Sequence, residues 1–391
     1  MKSPQIRICG DEWMDIKKLG EICTIVSGGT PSRTNTEFWD GGTIPWIKIG
    51  DIKEKHVSKA DEYITQAGLD GSSAKMLSKG TILYTIFATL GEAGILTIDA
   101  CTNQAIAGIT IKNQDEVLAD YLYYYLKSKK SYVNNLGRGV AQNNINLSIL
   151  RNLKVPLPAL PTQRQTVDIL DKTAKVIEYR QQQLQKLDDL VKARFVELFG
   201  SCPSMASMDE LCSIITDGTH QPPKFYTDGI PFIFVSNLVK NTVTYNAEKF
   251  ISEETYSELY KRTPIEVGDL LLSTVGSYGH PAVVVEDRKF LFQRHIAYLK
   301  PKRDIVNSFY LHAALLSPDS QRQIEEKVKG IAQKTLNLSE IKKILIPLPS
   351  IEEQNAFEVF VKQTDKSKAV IQKALDEAQL LFDSLMQKYF G

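Results

Sequence analysis

Hydrophobic positions change rhythm along this chain, and then the whole sequence of rhythms recurs. From about Leu19 to Ile111 apolar residues come in short β-branched and aromatic runs, ILYTIF, GILTI and AIAGITI, broken by Gly, Pro, Asn and Asp. That pattern predicts a mostly β-sheet domain with helical insertions. The segment DYLYYYLKSKKSY follows and reads as a short amphipathic helix, with Tyr121, Tyr123, Tyr124 and Tyr125 expected to pack into the core from one helix face. Gly and Pro then vanish between Thr162 and Phe199, where Gln, Lys, Leu, Asp and Arg dominate, which predicts one long helix. Within it Leu170, Ile177, Leu184, Val191 and Leu198 recur every seventh position, with Leu187 half a step on. A stripe that narrow calls for a partner helix.

The second half repeats the order. The runs PFIFV, LLLSTV and AVVVE precede the helical segment SFYLHAALLSP, and Glu352 to Phe390 is again free of Gly and Pro. Its seven-residue series is Phe357, Ile371, Ala378 and Leu385, with Thr364 in the missing step. Val140 to Gly200 overlays Ile331 to Gly391 without a gap at an offset of 191 positions (331 minus 140). Both segments open on RGVAQ or KGIAQ, share N-L-S and P-L-P, and end in F-G. With small shifts the match extends upstream, LGEICTIVSGGT over MDELCSIITDGT, IPWIKIGDI over IPFIFVSNL and KGTILYTIFATLG over VGDLLLSTVGSYG. A repeat unit of half the chain is a duplication rather than a solenoid.

The expected fold is therefore α+β. Two mostly β domains with helical insertions, at 1–155 and 201–346, are each followed by a long helix, at 156–200 and 347–391. The helices are expected to pair as an antiparallel coiled coil, in a pseudo-twofold arrangement with the β-rich domains at opposite ends. Pro156 and Pro158, with Pro347 and Pro349, favour an extended entry into each helix. The halves agree best at these corners and helices and least in loops such as PSRTNTEFWDGG against HQPPKFYTDG. A common framework carrying different loops suggests two different readouts held a set distance apart.

Composition narrows the chemistry. The 391 residues carry 47 basic against 46 acidic side chains, a net charge of +1, so contact with nucleic acid would rest on local patches or partner subunits. No apolar run approaches the ~20 residues of a membrane span and no signal core opens the chain, so a cytoplasmic protein is expected, without membrane partners. Cys9, Cys23, Cys101, Cys202 and Cys212 form no C-x-x-C pair and no zinc spacing, and are expected to be small buried hydrophobes; no metal site is expected. The phosphate-binding and dinucleotide-binding glycine patterns are absent, as is an N-P-P or D-P-P followed by an aromatic for adenine methylation. The near miss Gln221-Pro222-Pro223-Lys224 reads as a rigid loop, and Asp217 and Asp269 as turn residues.

In this setting the chain resembles the specificity subunit of Type I restriction-modification systems. The resemblance covers nearly its whole length and is strongest in Leu19 to Ile52, with S-G-G-T-P-S and I-P-W, and in the paired P-L-P segments with Gln163 and Gln354. It implies a non-catalytic subunit with two target-recognition domains, each reading one half of a bipartite double-stranded DNA site. The implied partners are two methyltransferase subunits and two restriction/translocase subunits, which would hold S-adenosylmethionine, ATP and Mg, leaving no cofactor in this chain.

Base edges and phosphates call for hydrogen-bonding and cationic side chains in loops. In the first domain the candidates are Thr30, Ser32, Arg33, Asn35, Lys48, Thr89, Asn103, Gln104, Arg138, Gln142 and Asn143. In the second they are Thr219, His220, Gln221, Lys224, Ser236, Asn237, Ser277, Tyr278, His280, Arg294, His295, Gln333 and Lys334. Arg33 and Arg294 stand out, because a guanidinium can grip guanine or phosphate with two bonds. The helix face with Gln181, Gln182 and Gln183 is a candidate docking surface. The competing readings are an interaction scaffold that does not read DNA and a self-sufficient enzyme, the latter disfavoured by the missing motifs.

Overall fold

The computed structural model describes residues 5–7, 13–137, 144–330 and 334–391. Contacts divide it into two units, Met1–Tyr179 with Leu375–Gly391, and Arg180–Ala374.

In the first unit a five-stranded sheet runs in the order Cys23–Ser27, Ile106–Ile111, Ile82–Thr85, Ala93–Leu96 and His56–Val57. All eight residues of Ile82–Thr85 and Ala93–Leu96 are buried, as continuous apolar runs require of strands covered on both faces. A smaller sheet joins Glu62–Ile64, Ile44–Ile47 and Cys101–Thr102. The second unit repeats the plan. Its larger sheet orders Cys212–Asp217, Ile296–Pro301, Leu270–Ser273 and Pro281–Val283, and its smaller one Lys249–Ile251, Ile230–Ile233 and Leu291–Phe292.

The duplicated N-L-S…P-L-P segment is a corner. The Asn146 side chain accepts the Ile149 N–H at 2.9 Å and caps the short helix Leu147–Arg151. The chain then runs extended through Lys154–Leu157, paired antiparallel with Trp13–Lys18, while Leu345–Pro347 pairs with Met205–Ser207. Two helices of 40 residues follow, Leu160–Phe199 and Ile351–Phe390. The second starts on a capping box, Ser350 Oγ accepting the Glu353 N–H and Glu353 Oε2 the Ser350 N–H.

The long helices run antiparallel. In the first unit Leu170 shares a core with Phe390, and in the second Phe195 and Phe199 lie edge-on to Phe357 at 5.7 and 5.5 Å. Leu170, Ile177, Leu184, Leu187 and Val191 lie on the covered stripe, as do Phe357, Ile371, Ala378 and Leu385. Leu198 does not: it is 46% exposed, and Phe199 beside it is buried. A straight helix drifts about 20° per heptad against a strict seven-residue repeat, so after four heptads the stripe has moved to the next residue.

One further expectation is corrected and another is extended. All four tyrosines from Tyr121 to Tyr125 are buried, but around the helix Ala119–Ser128 and not on one face. The phenol of Tyr121 reaches Pro156 O, that of Tyr125 reaches Lys154 O and that of Tyr124 reaches Asp171, so these three hydroxyls have partners inside the core. Asp269 closes a turn, its N–H on Glu266 O at 3.0 Å, but it is also fully buried, accepting from Tyr298 Oη and the Glu266 N–H, with Lys300 and Arg303 each at 3.4 Å. Free Cys23, Cys101 and Cys212 are buried, with burial pushing their thiols up to about 12, 11 and 12; Cys202 is half-buried, and Cys9 lies outside the described residues.

Candidate nucleic-acid interface

The same backbone framework gathers the candidate loops in each unit. In the first, Gly28 N bonds Ile106 O, Ile86 N bonds Ala105 O and Ile145 N bonds Ile86 O at 3.0, 2.8 and 3.1 Å. Their counterparts are Gly218 N to Ile296 O, Thr274 N to His295 O and Leu336 N to Thr274 O at 3.1, 2.9 and 2.8 Å. Close approach explains the glycines: a Cβ on Gly28 would lie 2.3 Å from Thr102 O, and one on Gly218 2.3 Å from Phe292 O.

In the first unit two indoles fix the variable loop, Trp39 Nε1 donating to Ser32 O at 3.0 Å and Trp46 Nε1 to Gly29 O at 2.9 Å. The Arg33 guanidinium carbon lies over Trp39, 3.7 Å from the ring centroid, and Arg33 pairs with Glu62 at 2.5 Å. Lys48 pairs with the same carboxylate at 2.6 Å. Lys48 first, against the opposing effect of burial, and then Arg33 hold the Glu62 carboxyl below the usual carboxylate value. Thr30 bonds Gln104, and Ser32, exposed, is 2.9 Å from Thr34 Oγ1. Asn35 caps a 3-10 turn through Glu37 N, Asn103 Oδ1 takes Ala105 N, and Thr89 is exposed.

In the second unit Thr219, His220, Gln221 and Lys224 line a groove of about 510 Å³ together with Arg262. Arg294 and His295 line a neighbouring hollow of about 290 Å³. Asp217 lines that hollow and bonds two residues of the groove, its oxygens taking Arg262 Nη2 at 2.9 Å and His220 Nε2 at 2.7 Å, so it too is more than a turn residue. Burial first, then Arg294, lower the His295 pKa and keep the ring neutral at pH 7. Ser236 and Ser277 are exposed, Tyr278 bonds Glu325, and Lys334 pairs with Glu325 at 3.0 Å. His280 Nδ1 donates to Asn241 Oδ1 at 2.9 Å.

Asn237 drops out as a base-reading candidate. It is 8% exposed and its amide is occupied, accepting from Phe234 N and donating to Thr244 O at 2.9 Å. Arg138, Gln142, Asn143 and Gln333 lie outside the described residues. Sequence reasoning missed Glu62 and Arg262: Arg262 is 45 positions from Asp217, and only the fold brings them together.

A loop-lined groove on a duplicated framework is what two independent recognition modules would share, and comparison with known proteins decides the matter. The Type I restriction modification DNA specificity domain model matches residues 10–189 and again 207–379. The chain belongs to that family. It is 26% identical to the Type I restriction enzyme MjaIX specificity subunit of Methanocaldococcus jannaschii, over 86% of this chain and 83% of that protein. It is 27% identical to the EcoBI specificity subunit of Escherichia coli, over 74% and 69%. The fold matches the crystal structure of a Type I S subunit from M. genitalium across 100% and 99% of the two chains, with a TM-score of 0.54 at 15% identity. A chain from a structural study of type I complex assembly and conformational transition matches with a TM-score of 0.56 at 18% identity, over 96% and 97%. A specificity subunit is a recognition component and not a catalytic one. Among the described residues no cluster of His, Cys, Asp and Glu could hold a metal ion, and no helix is long and apolar enough to cross a membrane.

Proposed function

We propose that this chain is the DNA sequence-specificity subunit of a Type I restriction-modification complex in the cytoplasm. Each recognition domain, 1–155 and 201–346, reads one half of a bipartite duplex site, and the helical segments 156–200 and 347–391 set the spacer and dock methyltransferase subunits. The carrying observation is that two homologous β-rich units hold equivalent backbone junctions while the side chains around them differ, Arg33, Glu62 and Trp39 in one and Asp217, His220 and Arg262 in the other.

The chemistry belongs to partners under this reading. Two methyltransferase subunits supply S-adenosylmethionine-dependent adenine N6 methylation, and two restriction/translocase subunits, with ATP and Mg, act on unmodified sites. The nearly neutral charge fits a chain whose affinity for phosphates is shared with other subunits. Co-expression with the cognate methyltransferase, followed by single-molecule sequencing for N6-methyladenine, tests the proposal. A split motif with a fixed gap, lost when this chain is deleted, is expected. A stable complex with neither motif nor sequence-selective DNA binding would favour the scaffold.

A further inference from the structure

Each recognition unit sets an arginine beside its candidate loops against a carboxylate that also holds a second basic side chain; Asp269, with Lys300 and Arg303, is a further grouping of this kind in the second unit, outside the lining of the groove. Glu62 Oε2 meets Arg33 Nη2 at 2.5 Å while Oε1 meets Lys48 Nζ at 2.6 Å. Asp217 Oδ1 meets Arg262 Nη2 at 2.9 Å while Oδ2 meets His220 Nε2 at 2.7 Å.

The two groupings are not inherited copies. Strand register places Glu62 opposite Trp46, and the same register in the second unit places Lys249 opposite Phe232, so Lys249 stands at the Glu62 position. Asp217 lies opposite Ala297 as Ser27 lies opposite Ala107, so Asp217 stands at the Ser27 position. The same chemistry has thus been assembled twice from different positions, which a shared ancestral scaffold does not explain.

Stability does not explain it either. The two guanidinium side chains are 52% and 51% exposed, and ion pairs that open to water contribute little to folding. What a carboxylate does for an exposed arginine is hold it. One nitrogen is anchored and the remaining N–H donors stay in a fixed plane, the arrangement that meets guanine O6 and N7 with two parallel bonds. Trp39 under Arg33 adds a flat support on the ring face. Arg294, by contrast, meets His295 at 3.4 Å and no carboxylate among the described ion pairs.

We propose that Arg33 and Arg262 read a guanine in the first and second half-site respectively, with Glu62 and Asp217 as their positioning residues. This rests on the recognition reading above and sharpens it, since each half-site must then contain a G·C pair whose identity depends on one arginine.

Arg33→Lys and Arg262→Lys in the assembled methyltransferase complex test it. Lysine keeps the charge for a phosphate but replaces the rigid planar fork with a flexible point charge that a flanking carboxylate does not orient, so it holds guanine O6 and N7 less selectively. Mapping N6-methyladenine in host DNA should show, for Arg33→Lys, one guanine position relaxed in one half-site alone, with roughly ten- to hundredfold less discrimination. Arg262→Lys should relax one position in the other half-site. Glu62→Gln and Asp217→Asn should weaken the same two positions less, and they carry the test if a lysine variant fails to assemble. A wild-type half-site without a G·C pair would overturn the assignment, as would lysine variants whose motif is unchanged while methylation falls uniformly. Absence of any split motif from the wild-type complex sinks the recognition reading itself; an intact motif that ignores these arginines sinks only the present assignment.

Discussion

The buried side-chain oxygen of Gln163 accepts the backbone N–H of Leu118 at 3.0 Å. Its Nε2 donates to Glu116 O and Pro158 O, both at 2.9 Å. In the second unit Gln354 accepts from Asn307 N at 2.9 Å and donates to Ile305 O and Pro349 O at 3.2 and 3.0 Å. Both glutamines are fully buried, and each ties the first turn of a long helix to the start of a short helix in the recognition domain. Gln163→Ala strands a buried N–H and carbonyls, at about 1–3 kcal/mol for each group that finds no new partner. The expected outcome is a loss of about 2–4 kcal/mol and a Tm several degrees lower, read by thermal melting. An unchanged melt would mean the corner is held elsewhere.

Phe199 and Leu198 separate a strict seven-residue repeat from the drifting stripe. Phe199 is 3% exposed and packs edge-on to Tyr310 at 5.0 Å and to Phe357 at 5.5 Å. Phe199→Ala should cost about 3–5 kcal/mol by opening a cavity among these rings. Leu198→Gln, on the exposed side, should stay within ~0.5 kcal/mol. Denaturant titration of the two variants gives the comparison, and equal losses would restore the strict repeat.

Periodicity was legible where neighbours in sequence set it. Leu170 to Val191 and Phe357 to Leu385 fall on the covered stripe because helical spacing is a local property. The P-L-P corner was legible for the same reason, since proline restricts its own backbone and that of the residue before it. Illegible were the groupings created by folding. Glu62 lies 14 positions from Lys48, and Asp217 lies 45 from Arg262, with no spacing rule linking either pair. Asn237 looked like a loop residue free to read bases, because sequence does not tell an exposed amide from one bonding Phe234 and Thr244.

Two histidines grip one loop residue in the second unit. His312 Nε2 donates to Asn241 O at 3.0 Å and His280 Nδ1 to Asn241 Oδ1 at 2.9 Å, with Asn241 in the left-handed region at φ 57°. Burial lowers the pKa of both rings; around His312 the Asn241 carbonyl and Asp365 pull the other way, and Lys368 adds to the lowering. A depressed histidine pKa means the unfolded chain binds the proton first as pH falls. The stabilisation is therefore complete above the ordinary histidine value near 6.5 and declines as pH drops below it, towards each ring's folded value. Melting of the full chain between pH 7.5 and about 5 should show falling stability, with a shallower slope in His312→Gln. A slope unchanged by that substitution would remove His312 from the account.

The helices themselves make the last prediction. Each has 40 residues, and every added heptad lengthens a helix by roughly 10 Å while returning its stripe to nearly the same face. Matched seven-residue insertions after Gln182 and after Lys373, its counterpart 191 positions on, keep the antiparallel pairing in register. If the paired helices set the gap between half-sites, the methylated motif should keep both halves and gain about three base pairs of spacer, at ~3.4 Å each. An insertion in one helix alone leaves its stripe unmatched and should lower complex yield. A doubly inserted variant that assembles and methylates with the original gap would show that the spacing is set elsewhere.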